Sequence, residues 1–219
     1  MGEQVVIHLQ TFPLSKLEYV LKARNFMQNL QNKMFIFLDR DGVINRKPPE
    51  GEYVERWEDF HILPGVEQAV AVLNTHGKKV IVVTNQRGVA LGKYRAADVE
   101  FIHQKLQEQL ANAGGHIDAF YYCPHDREEC DCRKPKPGLI LQAFHDFPEA
   151  NAANSVIIGD SLSDLEAGHS LGMPSIFIDG PRERQKPGAE QARSVAGKTC
   201  HSLAEAVDAI LRPQRIKPE

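Results

Sequence analysis

Two aspartates stand two positions apart directly after an apolar run, and they are the first residues in the chain that suggest chemistry. Asp39 and Asp41 follow residues 34–38 (MFIFL), and Gly42 lets the chain turn sharply behind them. An ionised carboxylate can attack phosphorus. A second carboxyl group nearby can protonate the leaving oxygen and later accept a proton from water. The pair is therefore suited to phosphoryl transfer.

Two carboxylates facing a phosphate would repel it, so this chemistry needs a cation. Mg²⁺ prefers one or two carboxylates together with phosphate oxygen and water. Asp160 ends a second apolar run, residues 155–160 (SVIIGD), and is a candidate for the second carboxylate. A third run, residues 79–84 (KVIVVT), ends in Thr84. The carboxyl ends of parallel strands gather ligand groups, so these positions are expected to share one site.

Each of these residues also has an ordinary structural interpretation. The D-x-D-G string resembles part of a calcium-binding loop, but Ile44 stands where that loop requires glycine. Asp160 could cap the helix that follows it, and Thr84 could be a plain strand residue. Asp164 is either an orienting residue behind the site or a surface acid. The coincidence of three polar strand ends favours a common site over these separate explanations.

A cluster of three cysteines and one histidine follows the next predicted strand. Its spacing, C-x-H-x4-C-x-C, matches a tetrahedral structural zinc site, whose closed shell leaves no position for a catalytic water. Reduced core cysteines and a strained disulfide between neighbouring thiols are the alternatives. A loop rich in charge is a poor place for inert buried thiols, so zinc is favoured. The candidate ligands are Cys123, His125, Cys130 and Cys132.

Two basic residues, Arg133 and Lys134, come directly after this cluster and stand before Pro135. A lysine ammonium would offset the charge of a phosphoryl group, and an arginine fork would bind a second anionic or hydroxylated part of a substrate. The alternative is a solvated basic stretch before a helix. Cys200 stands alone and is expected to be a small core residue.

The chain alternates between apolar runs and helical patterns. This alternation predicts a doubly wound α/β fold with a mostly parallel sheet, and no insertion is long enough for a large cap domain. The predicted strands are residues 34–38, 79–84, 116–123, 155–160 and 174–179, and the predicted helices are residues 64–77, 96–113, 137–146 and 162–171.

The N-terminal segment does not share this alternation. Residues 1–33 are interpreted as an extension, with a possible helix from Ser15 to about Leu30, before a domain of residues 34–212 and a tail of residues 213–219. Every motif described above lies after Met34 and the predicted helix has only an imperfect apolar stripe, so a loosely packed extension is favoured. The alternative is that leucines 17, 21 and 30 dock on the domain.

Composition limits the classes of protein to consider. The chain of 219 residues is 42% hydrophobic and 25% charged, which is ordinary for a globular protein. Its formal net charge of −3 argues against nucleic acid and anionic membranes as partners. No apolar run approaches the roughly 18 residues of a membrane helix, and the N-terminus does not resemble a signal peptide. A cytoplasmic monomer that acts on a small phosphorylated metabolite is expected.

Four segments together resemble the haloacid-dehalogenase-like phosphatases, in the branch with a zinc-binding loop. They are FLDRDGVIN, VVTNQRG, CPH…CDCRKPKPG and IIGDSLSDLEAG, and the resemblance covers residues 34–212 in motif order. It implies a magnesium-dependent phosphatase with an aspartyl-phosphate intermediate and a structural zinc. An inactive zinc-stabilised binding module and a polynucleotide 3′-phosphatase are alternatives that the intact acidic set and the net charge disfavour.

The resemblance also implies a role for individual residues. Asp39 would be the nucleophile and Asp41 the general acid and base. The implied magnesium ligands are Asp39, the Asp41 carbonyl and Asp160; Thr84 and Lys134 would hold the phosphoryl group; and the implied substrate contacts are Asn45, Tyr53, Asn85, Gln86, Arg87 and Arg133. The implied zinc ligands are the four residues of the cluster.

Within this branch, a heptose 1,7-bisphosphate is favoured as the substrate, with histidinol phosphate as the alternative. VIN after the Asp-Gly step and the YYCPH segment support the heptose bisphosphate. Two departures affect the substrate contacts. Ser161 stands where some relatives have lysine, and the loop of residues 47–52 (KPPEGE) is longer than usual.

Overall fold

A computed structural model describes residues 25–211 except 183, 184 and 186. Its strands are β1 (Phe35–Leu38), β2 (Lys79–Asn85), β3 (Ala119–Cys123), β4 (Ser155–Gly159), β5 (Ser175–Ile178) and β6 (Lys198–Cys200). Its helices are α1 (residues 25–31), α2 (Val66–Thr75), α3 (Ala96–Asn112), α4 (Gly138–Asp146), α5 (Leu162–His169), α6 (Ala189–Val195) and α7 (Leu203–Leu211). Short 3₁₀ turns cover Trp57–Asp59 and Ala152–Asn154.

The six strands form one parallel sheet in the order β3-β2-β1-β4-β5-β6. Every residue of β1 and of β4 is buried, as expected for central strands that have helices on both faces. The register pairs Leu38 with Val82 on one side and with Ile158 on the other. The predicted doubly wound α/β fold is confirmed.

Alternation along the strands divides the core into two apolar layers. Ile36 and Leu38 face the layer that includes the inner residues of α2, α3 and α7. Phe35 and Phe37 face the opposite layer, which α4 and α5 cover. Helices therefore hold the sheet from both sides.

The order of the strands places a crevice beside β1. The chain runs outward from β1 to β2 and β3 on one side, and from β4 to β6 on the other. Ligands of such sheets bind at the carboxyl ends of the strands where the order reverses. Here that position lies between the ends of β1 and β4, where the sequence places Asp39 and Asp160.

The structure differs from the sequence prediction at β3, which begins at Ala119 instead of residue 116. The backbone of Ile117 is bound at both its N–H and its carbonyl by the side-chain amide of Gln107. The Asp118 carboxylate accepts a hydrogen bond from the Val80 backbone N–H. The polar groups of residues 117 and 118 therefore bind neighbouring elements, and the backbone N–H of Asp118 makes the first hydrogen bond to β2, at the carbonyl of Val80.

The described part of the N-terminal segment packs on the domain. Leu30 is fully buried in the larger apolar layer, and the Phe26 ring lies so close to Gly197 that a Cβ there would overlap it. Lys33 donates to the carbonyl of Ala153, and Lys78 donates to that of Gln31. For residues 25–33 the structure favours docking over the loose packing expected from the sequence. Leucines 17 and 21, and the predicted tail, lie outside the described residues.

The segment between β1 and α2 contains only loops, two isolated bridges and one 3₁₀ turn. It therefore contributes no separate cap domain within the part of the chain that the structure describes. In the same part, no helix has both the length and the apolar character needed to cross a bilayer.

Candidate active site

The loop after β1 is held directly against the end of β4. Asp39 donates its backbone N–H to the carbonyl of Ile158 over 2.9 Å. Gly42 has a φ of 103°, and a Cβ at this position would overlap the carboxylate of Asp160. The turn and the close approach both require glycine. The sequence D-x-D-G therefore brings two acidic segments together at the sheet's switch point.

Three carboxylates converge there. Asp39, Asp160 and Asp164 each offer an oxygen, and these oxygens lie within 4.8 Å of one another. Asp39 is 5% exposed and Asp164 is 1% exposed, so their charges are largely withdrawn from water. Closely spaced carboxylate oxygens are the donors that a hard divalent cation prefers, and the set fits magnesium. The Lys47 ammonium also contacts Asp160.

The ammonium group of Lys134 binds two of these carboxylates. Its Nζ lies 2.8 Å from Asp39 Oδ1 and 2.6 Å from Asp164 Oδ1, and it donates to the carbonyl of Val83 over 2.6 Å. Burial alone would lower the pKa of Lys134, but the charges of Asp164 and Asp39 outweigh it and raise that pKa. Lys134 is therefore a buried cation whose ammonium is fixed beside Asp39.

Asp160 and Asp164, the two acidic residues that follow β4, have different roles. Ser161, not Asp160, is the N-cap of α5, and Asp164 Oδ2 accepts hydrogen bonds from the backbone and the hydroxyl of Ser161 at 3.0 and 2.6 Å. Asp164 is thus a buried orienting residue that ties the helix start to Lys134. Asp160 lies outside the cap and faces the loop after β1.

Asp41 is held by its own group of donors. Arg40 Nη2 lies 3.0 Å from both oxygens of its carboxylate, Asn45 Nδ2 donates over 2.9 Å and Gln86 Nε2 over 3.0 Å. Burial favours the neutral acid, but the Arg40 charge and these hydrogen bonds outweigh it and hold the pKa of Asp41 below its usual value. The network orients the carboxylate as well as stabilising its charge.

Gln86 connects Asp41 to two further residues. Its Nε2 also lies 2.9 Å from Thr84 Oγ1, and its Oε1 accepts a hydrogen bond of 2.8 Å from the Tyr94 hydroxyl. Gln86 and Thr84 are both buried. Both the nitrogen and the oxygen of the Gln86 amide are therefore hydrogen-bonded to neighbouring side chains of the site.

The other predicted substrate contacts differ in their partners. Asn45 points inward to Asp41, and Asn85 binds the backbone of Lys134. Arg87 forms an ion pair with Asp126, which lies between two residues of the cysteine cluster. Arg133 keeps a buried Nη1 that has no hydrogen-bond partner among the described residues. The Tyr53 ring, which packs at 6.1 Å against that of Tyr94, completes this set.

The cysteine cluster forms a compact set of ligand atoms. Cys130 Sγ lies 3.5 Å from Cys123 Sγ and 3.2 Å from Cys132 Sγ, while His125 Nδ1 lies 3.3 Å from Cys132 Sγ. Tetrahedral bonds of about 2.3 Å to zinc would place such atoms about 3.8 Å apart. None of the thiols forms a disulfide, which leaves no support for a bridge between Cys130 and Cys132. Soft thiolates with one imidazole fit zinc.

Sequence reasoning missed three residues that contact this site. Arg40 is 1% exposed and binds Asp41, Tyr94 binds Gln86, and Lys47 contacts Asp160. Of these three residues, only Arg40 could have been suspected from the sequence. It lies between two aspartates, and an arginine that becomes buried needs an acidic partner. The contacts of Tyr94 and Lys47 depend on loop conformation, which residue spacing does not report.

Comparisons with known proteins agree with this arrangement. Residues 131–206 match the HAD-hydrolase-like family model. The chain is 48% identical over 137 residues to D-glycero-alpha-D-manno-heptose-1,7-bisphosphate 7-phosphatase of Mycobacterium bovis, covering 62% of this chain and 72% of the relative. It is 36% identical over 191 residues to D-glycero-beta-D-manno-heptose-1,7-bisphosphate 7-phosphatase of Vibrio cholerae, covering 84% and 99%.

A solved structure of a heptose bisphosphate phosphatase is also similar to this chain. D,D-heptose 1,7-bisphosphate phosphatase from B. bronchiseptica, crystallised with magnesium and phosphate, superposes with a TM-score of 0.71 and 31% identity. The match covers 81% of this chain and 97% of that one. The parallel sheet with acidic residues at its switch point, taken together with these relatives, identifies a phosphohydrolase of the haloacid-dehalogenase type. The chain belongs to that superfamily, in the family of the D-glycero-D-manno-heptose-1,7-bisphosphate 7-phosphatases, which confirms the resemblance drawn from its motifs.

Proposed function

We propose that the chain is a magnesium-dependent phosphatase that removes the 7-phosphate of D-glycero-D-manno-heptose 1,7-bisphosphate. The convergence of the Asp39, Asp160 and Asp164 carboxylates, two of which bind the Lys134 ammonium, carries this proposal. Family relatives with this substrate in their names support its identity. These relatives include both an alpha and a beta form, and the site geometry favours neither.

Asp39 is the proposed nucleophile. Its carboxylate attacks the phosphorus, the bond from phosphorus to the sugar oxygen breaks, and an aspartyl phosphate forms. The Lys134 ammonium contacts Asp39 Oδ1, so it fixes the orientation of the attacking carboxylate. The buried ammonium also offsets the charge that Asp39 and the phosphoryl group bring together.

Asp41 moves the protons in both halves of the reaction. It first gives a proton to the sugar oxygen as that oxygen leaves, and it then takes one from the water that attacks the aspartyl phosphate. The second step releases inorganic phosphate and restores Asp39. Its donors favour the carboxylate that the second step needs. The negative charge of a bound phosphate opposes ionisation of Asp41, which favours the acid needed first.

Magnesium would be held by Asp39, Asp160 and the Asp41 carbonyl, and the bound cation supplies positive charge against the phosphate. Zinc would be held by Cys123, His125, Cys130 and Cys132 as a structural ion.

Recognition of the sugar is assigned to the rim of the site. The buried, unpartnered Nη1 of Arg133 supports a contact to an anionic or hydroxyl group of the substrate. Tyr53 and Arg87 are assigned to the same group of substrate contacts.

Substituting the nucleophile tests the proposal directly. In Asp39→Asn the side chain keeps its shape but loses its charge, so phosphate release from the heptose bisphosphate should fall by several orders of magnitude. Phosphate release from histidinol phosphate, measured in parallel, identifies the preferred substrate. Near-normal turnover of Asp39→Asn would exclude the covalent mechanism. A higher kcat/KM for histidinol phosphate would leave the mechanism intact and change the substrate.

A further inference from the structure

The orientation of the Gln86 amide is set by its neighbours. The structure turns the NH₂ group of this amide toward Asp41, where Gln86 Nε2 lies 3.0 Å from Asp41 Oδ2. Its oxygen then faces the opposite way and needs a donor. A flipped amide would place an oxygen against the carboxylate and would turn the NH₂ group away from it.

The Tyr94 hydroxyl is that donor. It lies 2.8 Å from Gln86 Oε1, and Tyr94 is only 7% exposed. Burial raises the pKa of Tyr94 to about 12, so the hydroxyl keeps its proton. The ring reaches this position because residue 88 is glycine, where a Cβ would overlap the ring. The Tyr53 ring also packs edge-on against that of Tyr94.

We propose that Tyr94 is a positioning residue for the reaction, acting through Gln86 to hold the Asp41 carboxyl group in line with the leaving oxygen. The inference rests on the proposed role of Asp41 as proton donor. It assigns Tyr94 no contact with substrate, because its hydroxyl bonds the amide of Gln86.

Substrates with different leaving groups separate this role from a general structural one. A sugar alkoxide is a poor leaving group and needs a proton from Asp41, whereas 4-nitrophenolate leaves readily without one. The kcat/KM value reports the steps up to the departure of the leaving group. The ratio of kcat/KM for heptose bisphosphate to that for 4-nitrophenyl phosphate therefore measures how well Asp41 delivers its proton.

Tyr94→Phe removes the hydroxyl and keeps the ring. Loss of this single hydrogen bond should lower kcat/KM for the heptose bisphosphate by about tenfold and leave that for 4-nitrophenyl phosphate within about twofold. Tyr121→Phe is the matched control, because the Tyr121 hydroxyl also bonds a side chain, Asp146 at 2.9 Å, away from the site. It should leave the ratio unchanged. An equal fall of Tyr94→Phe on both substrates would overturn the inference.

A double variant tests whether Tyr94 acts through the amide. In a Gln86→Ala background the hydroxyl has no amide to orient, so adding Tyr94→Phe should lower the ratio no further. A full additional effect would mean that Tyr94 acts by another route and would overturn the inference.

Asp41→Asn distinguishes failure of this inference from failure of the proposed mechanism. If Asp41→Asn lowers the ratio strongly and Tyr94→Phe does not, only the role of Tyr94 is wrong. If Asp41→Asn leaves the ratio unchanged, Asp41 is not the proton donor, and both fail together. The activity of Asp39→Asn on 4-nitrophenyl phosphate tests the nucleophile independently of either result.

Discussion

Asn85 and Lys134 are joined by a pair of hydrogen bonds between a side chain and a backbone. The Asn85 amide donates to the Lys134 carbonyl over 3.0 Å, and the Lys134 N–H donates to Asn85 Oδ1 over 3.1 Å. Asn85 is the last residue of β2, so it ties the loop that carries Lys134 to the rigid sheet. The same loop follows the cysteine cluster, whose last residue, Cys132, lies two positions before Lys134.

Asn85→Ala should therefore damage activity more than stability. It removes two hydrogen bonds of about 1 kcal/mol each and lets the Lys134 ammonium shift from Asp39, so kcat/KM should fall about tenfold or more. Gln107→Ala is the matched control, because Gln107 makes the same double contact to the backbone of Ile117 at 2.9 Å. Gln107→Ala should lower the free energy of unfolding by a similar amount and leave kcat/KM unchanged. Equal activity in both variants would contradict a positioning role for Asn85.

The contact between Lys47 and Asp160 predicts a change in the metal requirement. An ammonium and a divalent cation compete for the same carboxylate, so Lys47→Met should lower the Mg²⁺ concentration that gives half-maximal activity. Lys105→Met, which breaks a surface pair with Glu108, should leave the Mg²⁺ titration unchanged. A Lys47→Met variant that needs more Mg²⁺ would show that Lys47 assists metal binding instead.

Zinc content should depend on the cluster and not on cysteines in general. Cys132→Ser removes one of four soft ligands, so elemental analysis should show loss of the zinc equivalent together with a lower melting temperature and lower activity. Activity falls because Arg133 and Lys134 follow the cluster directly. Cys200→Ser, at a buried cysteine outside the cluster, should keep its zinc. Full zinc content in Cys132→Ser would remove the residue from the ligand set.

Much of the fold was predictable because its signals are local. Buried parallel strands such as β2 and β4 are continuous apolar runs, and the polar residues at their ends mark the switch point. The cysteine cluster was predictable for the same reason, since its four residues lie within one short segment. Strand β6 carried no comparable signal, since it has only three residues, two of them only partly buried.

The inner network of the site was not predictable, because it depends on which way each side chain turns. Asn85, Gln86 and Arg87 are consecutive and were all expected near substrate. The structure directs Asn85 to the Lys134 backbone, Gln86 to Asp41 and Arg87 to Asp126. Their directions follow from the end of β2 and the turn after it, and residue spacing alone contains neither.

Leu30 provides the last test, which concerns the segment before the first strand. Its side chain is fully buried in the larger apolar layer, so Leu30→Ala should lower the free energy of unfolding by about 2–5 kcal/mol. Leu141 is 49% exposed on α4, and Leu141→Ala should change it by no more than about 0.5 kcal/mol. Urea unfolding monitored by circular dichroism compares the two. A variant beginning at Met34 should lose at least as much stability as Leu30→Ala, because it also removes Phe26 and Met27 from that layer. If both Leu30→Ala and the variant beginning at Met34 unfolded at the same urea concentration as the parent, residues 25–33 would add nothing to the stability of the domain, as the sequence alone suggested.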